Sequence, residues 1–502
     1  MQKGDIHIKI ILALTCAGFI GFVMLSNPMM LIGYDIWEHI GIIDKLIRGL
    51  DPEMHRNLWH KSWAIIFKIS KIYDIFEIAI IIHRAQFLIT GILIYYSSKL
   101  MFESILYQSN SSRTANLNFN NSNHDNIIQS LAISSTLVWF TVIGTVSTFQ
   151  QAWIMWYSVN YQITLPILML AISLLLNIFI INHNDGTFYL KLSLSILLLA
   201  LVYFYHAAEL AYLVFYIPIF VVIFVSKEGI LKYWKFIVLV FALLFFALQN
   251  YTDRKPELIQ LLINGDMNSI VDNIRKYGQY NVNGGNRRIA NWNEMYILSL
   301  LVVIPMMLYA NIKKILPQLK ASLFVLLSLV FCFIPNFIYT AGIASLVSYA
   351  EIVNRYYFAS FIHLVVPLFV YVFTFNKFKH AHAFVVFACT FCIIFILYSY
   401  SKTSSNKTYF YNILSIKNSI KPLTIGDDMG PDRIKFISSQ IELAKIGPAA
   451  NKIIYCANYR DSYVIKYILR QDNVYFERRR HSTLTDCQNY ASNNGYIPFE
   501  IH

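Results

Sequence analysis

Charged side chains are scarce in this sequence. Asp, Glu, Lys and Arg make up 14% of its 502 residues, against roughly 25% in soluble globular proteins. With a hydrophobic content of 57% and an aromatic content of 16%, that shortage excludes an ordinary soluble enzyme and points to a membrane protein. Short alternating strands of the kind that build a lipid-exposed barrel are lacking too. Apolar runs of about twenty residues stand in their place, each long enough to cross about 30 Å of hydrocarbon as a helix. No Cys-x-x-Cys or Cys/His spacing supports a zinc site, since the pair Cys389 and Cys392 falls inside an apolar run. There is no concentrated basic domain either: the formal charge of +13 is spread over membrane edges and loops. That pattern argues against nucleic acid as a partner and for anionic lipid or a phosphate-bearing substrate at the membrane surface. The first run, Ile10–Ile32, lacks a convincing small-residue cleavage site and is expected to remain as a signal-anchor helix.

What is present reads as an all-α polytopic membrane protein with about eleven transmembrane helices and a small C-terminal α/β domain outside the membrane. The runs are Ile10–Ile32, Ile82–Phe102, Ile127–Phe149, Ile163–Ile181, Leu192–Tyr205, Leu210–Val225, Phe236–Gln249, Met295–Ala310, Leu323–Tyr339, Phe358–Phe375 and Phe384–Tyr400. The fifth and sixth are separated only by YHAAE, which fits a tight hairpin or a re-entrant pair. Placing the N-terminus in the cytoplasm puts Lys99, Arg113, Lys191, Lys227, Lys313 and Lys377 inside and leaves the short outer connections without Lys or Arg, as the positive-inside rule favours. The first outer loop runs against that rule, with Lys45, Arg48, Arg56, Lys61, Lys68 and Lys71.

Residues 1–400 then form the membrane domain, with outer segments 34–81 and 250–294, and residues 401–502 form the outer α/β domain. In the latter, NKIIYCA and NVYFER read as strands and DSYVIKYILR between them as a helix. Cys456 and Cys487 lie there, whereas the other four cysteines fall in apolar runs. Two cysteines in an oxidising compartment suggest a disulfide. The longest inner loop, NSSRTANLNFNNSNHDN, is Asn-rich without apolar periodicity and reads as a flexible connector.

Polar chemistry gathers in a few places. In GYDIWEHIGIIDKLIRGL, residues 33–50, Ile36, Ile40, Ile43, Ile47 and Leu50 form one apolar stripe on a helix, which suits a helix lying on the membrane surface with that stripe towards lipid. Asp35 and Glu38 are three residues apart, on neighbouring positions away from the stripe. They either complement the positive end of the helix or carry chemistry at the lipid–water boundary. The adjacent Arg287 and Arg288 in NVNGGNRRIANWNE and Arg355 in YAEIVNRYYFAS are phosphate candidates, since arginine forks match phosphate oxygens. A loop and an interfacial anchor are the plainer readings of those two sites. His206 and Glu209 in YHAAEL have helical spacing and suit positioning an acceptor, assisting a phosphate or binding a metal, although two ligands alone do not define a metal site. His55 and His60 read as hydrogen-bonding or solvated side chains.

An acidic residue just after the first transmembrane helix, in a first outer loop of surface helices, resembles the GT-C superfamily of integral-membrane glycosyltransferases. The likeness covers nearly the whole chain as a layout and rests, as a motif, on the residues around Tyr34-Asp35. It implies a sugar donor carried on a polyprenyl phosphate, an acceptor glycan or lipid-linked oligosaccharide, and a bacterial inner-membrane location with the C-terminal domain in the periplasm. It also implies an acidic general base, a role that falls on Asp35 with Glu38 as partner or substitute. Size and layout are similar to the glucosyltransferases that modify O-antigen in lipopolysaccharide biosynthesis. The chemistry needs a base for the acceptor hydroxyl and cations for the departing phosphate, which gives Lys45 and Arg48 in the first outer loop a use. Cofactors are not implied, and participation of a divalent cation stays open. Rival readings are an O-antigen polymerase or ligase, which would use the later outer loops, and a lipid or solute transporter, whose internal repeats and broken helices are not evident.

Overall fold

The computed structural model describes residues 34–50, 58–106, 121–140, 160–181, 186–213, 431–446, 452–475 apart from 459, 460 and 463, and 484–501, with isolated positions between 10 and 24 and between 216 and 390. The described part is mostly helical, with a small C-terminal α/β region. The chain divides into two units. One comprises Met1–Ile20, Leu88–Met155 and Tyr161–Ile413; the other comprises Gly21–Phe87, Trp156–Asn160 and Leu414–His502. The first outer segment is thus grouped with the C-terminal residues.

The second unit begins with two short helices, α1 (Tyr34–Ile47) and α2 (Leu58–Ser70), followed by the start of α3 (Ile75–Leu106). Helix α1 stops where it does because Gly49 adopts φ 78°. That turn lets the Leu50 amide donate to the Lys45 carbonyl at 2.9 Å and the Gly49 amide to Leu46 at 3.1 Å, the paired bonds of a left-handed C-terminal cap. The middle of the apolar stripe on α1 is not turned to lipid, as the sequence suggested, while Leu50 at its end is exposed. Ile40, Ile43 and Ile47 are buried within the protein, and so is Ile42 on another side of the helix. Neighbours on more than one side, including α2 and the segment Val464–Ile468, make α1 an interior helix of its unit. Helix α3 starts on a side-chain cap: Asp74 Oδ1 accepts the amides of Phe76 at 3.0 Å and Glu77 at 2.8 Å. Asp74→Ala is expected to cost about 1 kcal/mol, seen as faster hydrogen exchange in the first turn of α3.

The C-terminal region supplies α7 (Pro431–Lys445), β1 (Ile453–Ala457), α8 (Leu484–Asn493) and β2 (Ile497–Ile501), numbered after the helices of the other unit. The two strands pair in parallel, Ile453 opposite Ile497 and Ala457 opposite Ile501. All five residues of β1 are buried, because both of its faces are covered. Ile453, Tyr455 and Ala457 point to a core with Ile437 and Ile441 of α7, Val464, Ile465 and Ile501, against which Phe76 also packs. Ile454 and Cys456 point the other way, to Cys487 and Ala491 of α8. A disulfide joins Cys456 to Cys487 with Cα atoms 5.7 Å apart.

Of the expected strand NVYFER, residues 473–475 are described, and Val474 makes a parallel bridge to Tyr455 along the other edge of β1; residues 476–478 lie outside the described residues, and the strand paired with β1 over its full length is IPFEI. Pro498 lies in that strand and is tolerated because β2 pairs on one side only. DSYVIKYILR is helical, as expected, with Asp461 and Ser462 in α-helical conformation and Val464–Ile468 as a π-helical turn, and it ends at Arg470, which has φ 56°.

The other unit contains most of α3, with α4 (Asn121–Val138), α5 (Asn160–Ile181) and α6 (Gly186–His206). The last residues of the expected connector, Asn121–Asn126, are the opening turns of α4. Among the described residues, Ile75–Leu106 and Thr187–His206 are long and apolar enough to cross a membrane. Small polar side chains tie the helices of this unit together. Ser97 meets Ser173 at 2.7 Å, and Asn177 donates to Ser104 Oγ at 3.1 Å while accepting from Lys191 Nζ at 2.6 Å. Ser98 meets the buried His363 at 3.2 Å. Helix α6 runs directly into a 3-10 helix, Ala207–Tyr212.

Candidate functional site

Two polar clusters sit where the sequence placed chemistry, one in each unit. In the second unit, Asp35 and Glu38 both lie on α1. Glu38 is half-buried, and the next residue, His39, is paired with His60 of α2, Nδ1 to Nε2 at 2.7 Å. Only one of those facing nitrogens carries the shared proton, so the pair holds one bridging proton in either of two arrangements. The rings stack 5.0 Å apart, and Trp59 stands edge-on to both, 5.8 Å from His39 and 4.9 Å from His60. The Trp59 indole N–H donates to Gln86 Oε1 of α3 at 3.3 Å, which fixes the orientation of the indole. His83, on the same helix as Gln86 and one turn before it, is fully buried against Phe87.

Further along α1, Asp44 is only 2% exposed. Its Oδ1 accepts from Arg470 Nη2 at 3.1 Å. Its Oδ2 lies 2.9 Å from Arg48 Nη2, an ion pair without the alignment of a hydrogen bond. Arg470 also donates to the Tyr73 carbonyl at 3.3 Å, and Lys45 Nζ is 3.7 Å from Asp472. Lys45 and Arg48 are therefore each engaged by a carboxylate. The spacing of Asp44 carries a signal of its own: it is four residues after Ile40 and three before Ile47, at the border of the apolar stripe, where an acid needs a cationic partner. What the sequence could not show is the source of that partner, since Arg470 is 426 residues away.

In the other unit, His206 closes α6 and Glu209 lies in the 3-10 helix after it. The Glu209 carboxylate is fully buried and pairs with His206 Nδ1. A carboxylate on one ring nitrogen sets the imidazole tautomer and orientation and assigns Nε2 to any further partner, an arrangement suited to proton exchange with a hydroxyl or to binding a phosphate oxygen. Asp266, in the segment 250–294 expected to be an outer loop, accepts from the Ser269 hydroxyl at 2.6 Å and the Ser269 amide at 3.1 Å. Those bonds hold its carboxyl below the usual carboxylate range and make it a turn-forming residue.

Arg287, Arg288, Arg355 and His55 lie outside the described residues. Among the described residues, no group of three or more His, Cys, Asp and Glu side chains is arranged to hold a metal ion. Asp44, Arg470, His39 and Gln86 are the polar residues the structure adds to those singled out from the sequence. Comparison with known proteins finds no match: no family model, curated protein or solved structure aligns significantly with the chain.

Proposed function

We propose that the chain is a polytopic membrane glycosyltransferase of the GT-C type. In this reading it has about eleven spans, a cytoplasmic N-terminus and a periplasmic C-terminal region, and it acts at the outer face of a bacterial inner membrane. It transfers a sugar from a polyprenyl-phosphate donor to a cell-surface glycan or lipid-linked acceptor such as O-antigen. Asp35, with Glu38 as partner, takes the acceptor hydroxyl proton as the sugar's bond to phosphate breaks and its bond to the acceptor oxygen forms. Polyprenyl phosphate leaves, its charge met by nearby cations. The observation that supports this reading most is the placement of Asp35 and Glu38 on α1, directly after the first apolar run. That helix is held by α2 and by the Val464–Ile468 segment, and such rigid support is what a positioned base needs.

The test is a transfer assay with the full chain in native membranes, supplied with a polyprenyl-phosphate hexose labelled in the sugar and an O-antigen lipid acceptor. Label is expected to move to the acceptor without any nucleotide sugar. Transfer from nucleotide sugars alone would sink the proposal, and joining of preassembled repeat units without single-sugar transfer would favour the polymerase reading.

A further inference from the structure

The geometry points to a phosphate-binding site built by Arg48 and Arg470 on the buried carboxylate of Asp44. The two guanidinium groups approach the two oxygens of that one carboxylate, Arg470 at 3.1 Å and Arg48 at 2.9 Å. The Asp44 side chain is 3% exposed, while those of Arg48 and Arg470 are 37% and 42% exposed. Each guanidinium carries five N–H donors in a rigid fork, and each gives one terminal nitrogen to Asp44. The buried acid thus orients both forks while their outer parts remain open to solvent.

Charge supports an anionic ligand. Among the described residues, three cations, Lys45, Arg48 and Arg470, meet two carboxylates, Asp44 and Asp472, which leaves one positive charge in excess. One arginine would suffice to neutralise Asp44. Backbone conformation points the same way. Arg470 sits in the left-handed region at φ 56°, where Gly or Asn would be less strained, and a strained functional-looking side chain is grounds for a functional hypothesis. Two arginine forks side by side match the oxygens of a phosphate ester. The C-terminal region is then part of the site, because it supplies Arg470.

The ligand is a phosphate ester carried in the membrane, either the phosphate of a polyprenyl carrier or an anionic phospholipid headgroup. The assignment rests on the glycosyltransferase reading only for preferring the carrier. The experiment measures binding without transfer. The full chain is placed in phosphatidylcholine nanodiscs containing polyprenyl monophosphate, uncharged polyprenol or phosphatidylglycerol, and lipid retention is followed by native mass spectrometry. Polyprenyl monophosphate is expected to be retained over polyprenol, and Arg48→Gln and Arg470→Asn are each expected to weaken retention about tenfold or more. Asn suits the left-handed backbone at position 470, and Arg48 makes its ion pair within α1, so this second variant tests the site without loosening the C-terminal region. Equal retention of phosphatidylglycerol would assign the same phosphate site to headgroups. Retention of polyprenol equal to that of its phosphate, or wild-type binding by both variants, would overturn the site. A protein that binds the phosphate through these arginines but transfers no sugar keeps the site and loses the transferase reading; sugar transfer with unchanged binding in the variants does the reverse.

Discussion

Asp35→Asn is expected to lower sugar transfer by about 10²–10⁴-fold, the usual contribution of a general base. Asparagine keeps the size and hydrogen-bonding capacity of the side chain but cannot take a proton at neutral pH, so the loss reports the proton-transfer role. Position 35 is the second residue of α1, where an amide also satisfies a helix N-terminus, and the helix should survive the change. Glu38→Gln separates the two carboxylates. If Glu38 only supports Asp35, its variant should lose roughly tenfold or less; if Glu38 is the base, the two effects change places. Surface-glycan modification in cells at matched protein level is the measurement. Full activity in both variants would remove the acidic base, and the GT-C reading with it.

Replacing Cys456 and Cys487 with alanine is expected to destabilise the C-terminal region by about 3–4 kcal/mol, from the entropy released in a loop of this size. The bond closes a sequence separation of 31 residues. The two faces of β1 explain why the effect should be large. One face belongs to a core of many side chains from α7, β1, the π-helical turn and β2. The other meets α8 through a small set: Ile454, Cys456, Cys487 and Ala491, with Tyr475 alongside. So little apolar area holds α8 weakly without the covalent link. Hydrogen exchange on the full chain should show loss of protection first in α8 and β2, with β1 following. Unchanged protection in α8 would show that its packing alone is sufficient.

The helices of this chain were legible because their causes are local. Charge scarcity and long apolar runs marked α3 and α6, and the four-three spacing of Ile36 to Leu50 marked α1. The pairing of His206 with Glu209 was legible too, since three residues of helical spacing bring such side chains together whatever the rest of the fold does. Strands were harder. IIYCA was readable as a continuous β-branched and aromatic run, but Pro498 disguised β2. Val474 bridges Tyr455 near the start of the expected strand NVYFER, whose last three residues lie outside the described residues.

By itself, then, the sequence determined two helices long and apolar enough to cross a membrane, the helix at Tyr34–Ile47 and its acidic residues, and the cysteines available for a cross-link. Only the tertiary structure decided that Ile40, Ile43 and Ile47 on α1 face protein and that Asp44 is buried between two arginines, one of them from the far end of the chain. The physical reason is one of range. Periodicity and composition report how a segment divides itself between polar and apolar surroundings, whereas the identity of those surroundings, lipid or protein, and the partner of a buried charge are set by whichever distant segment packs there.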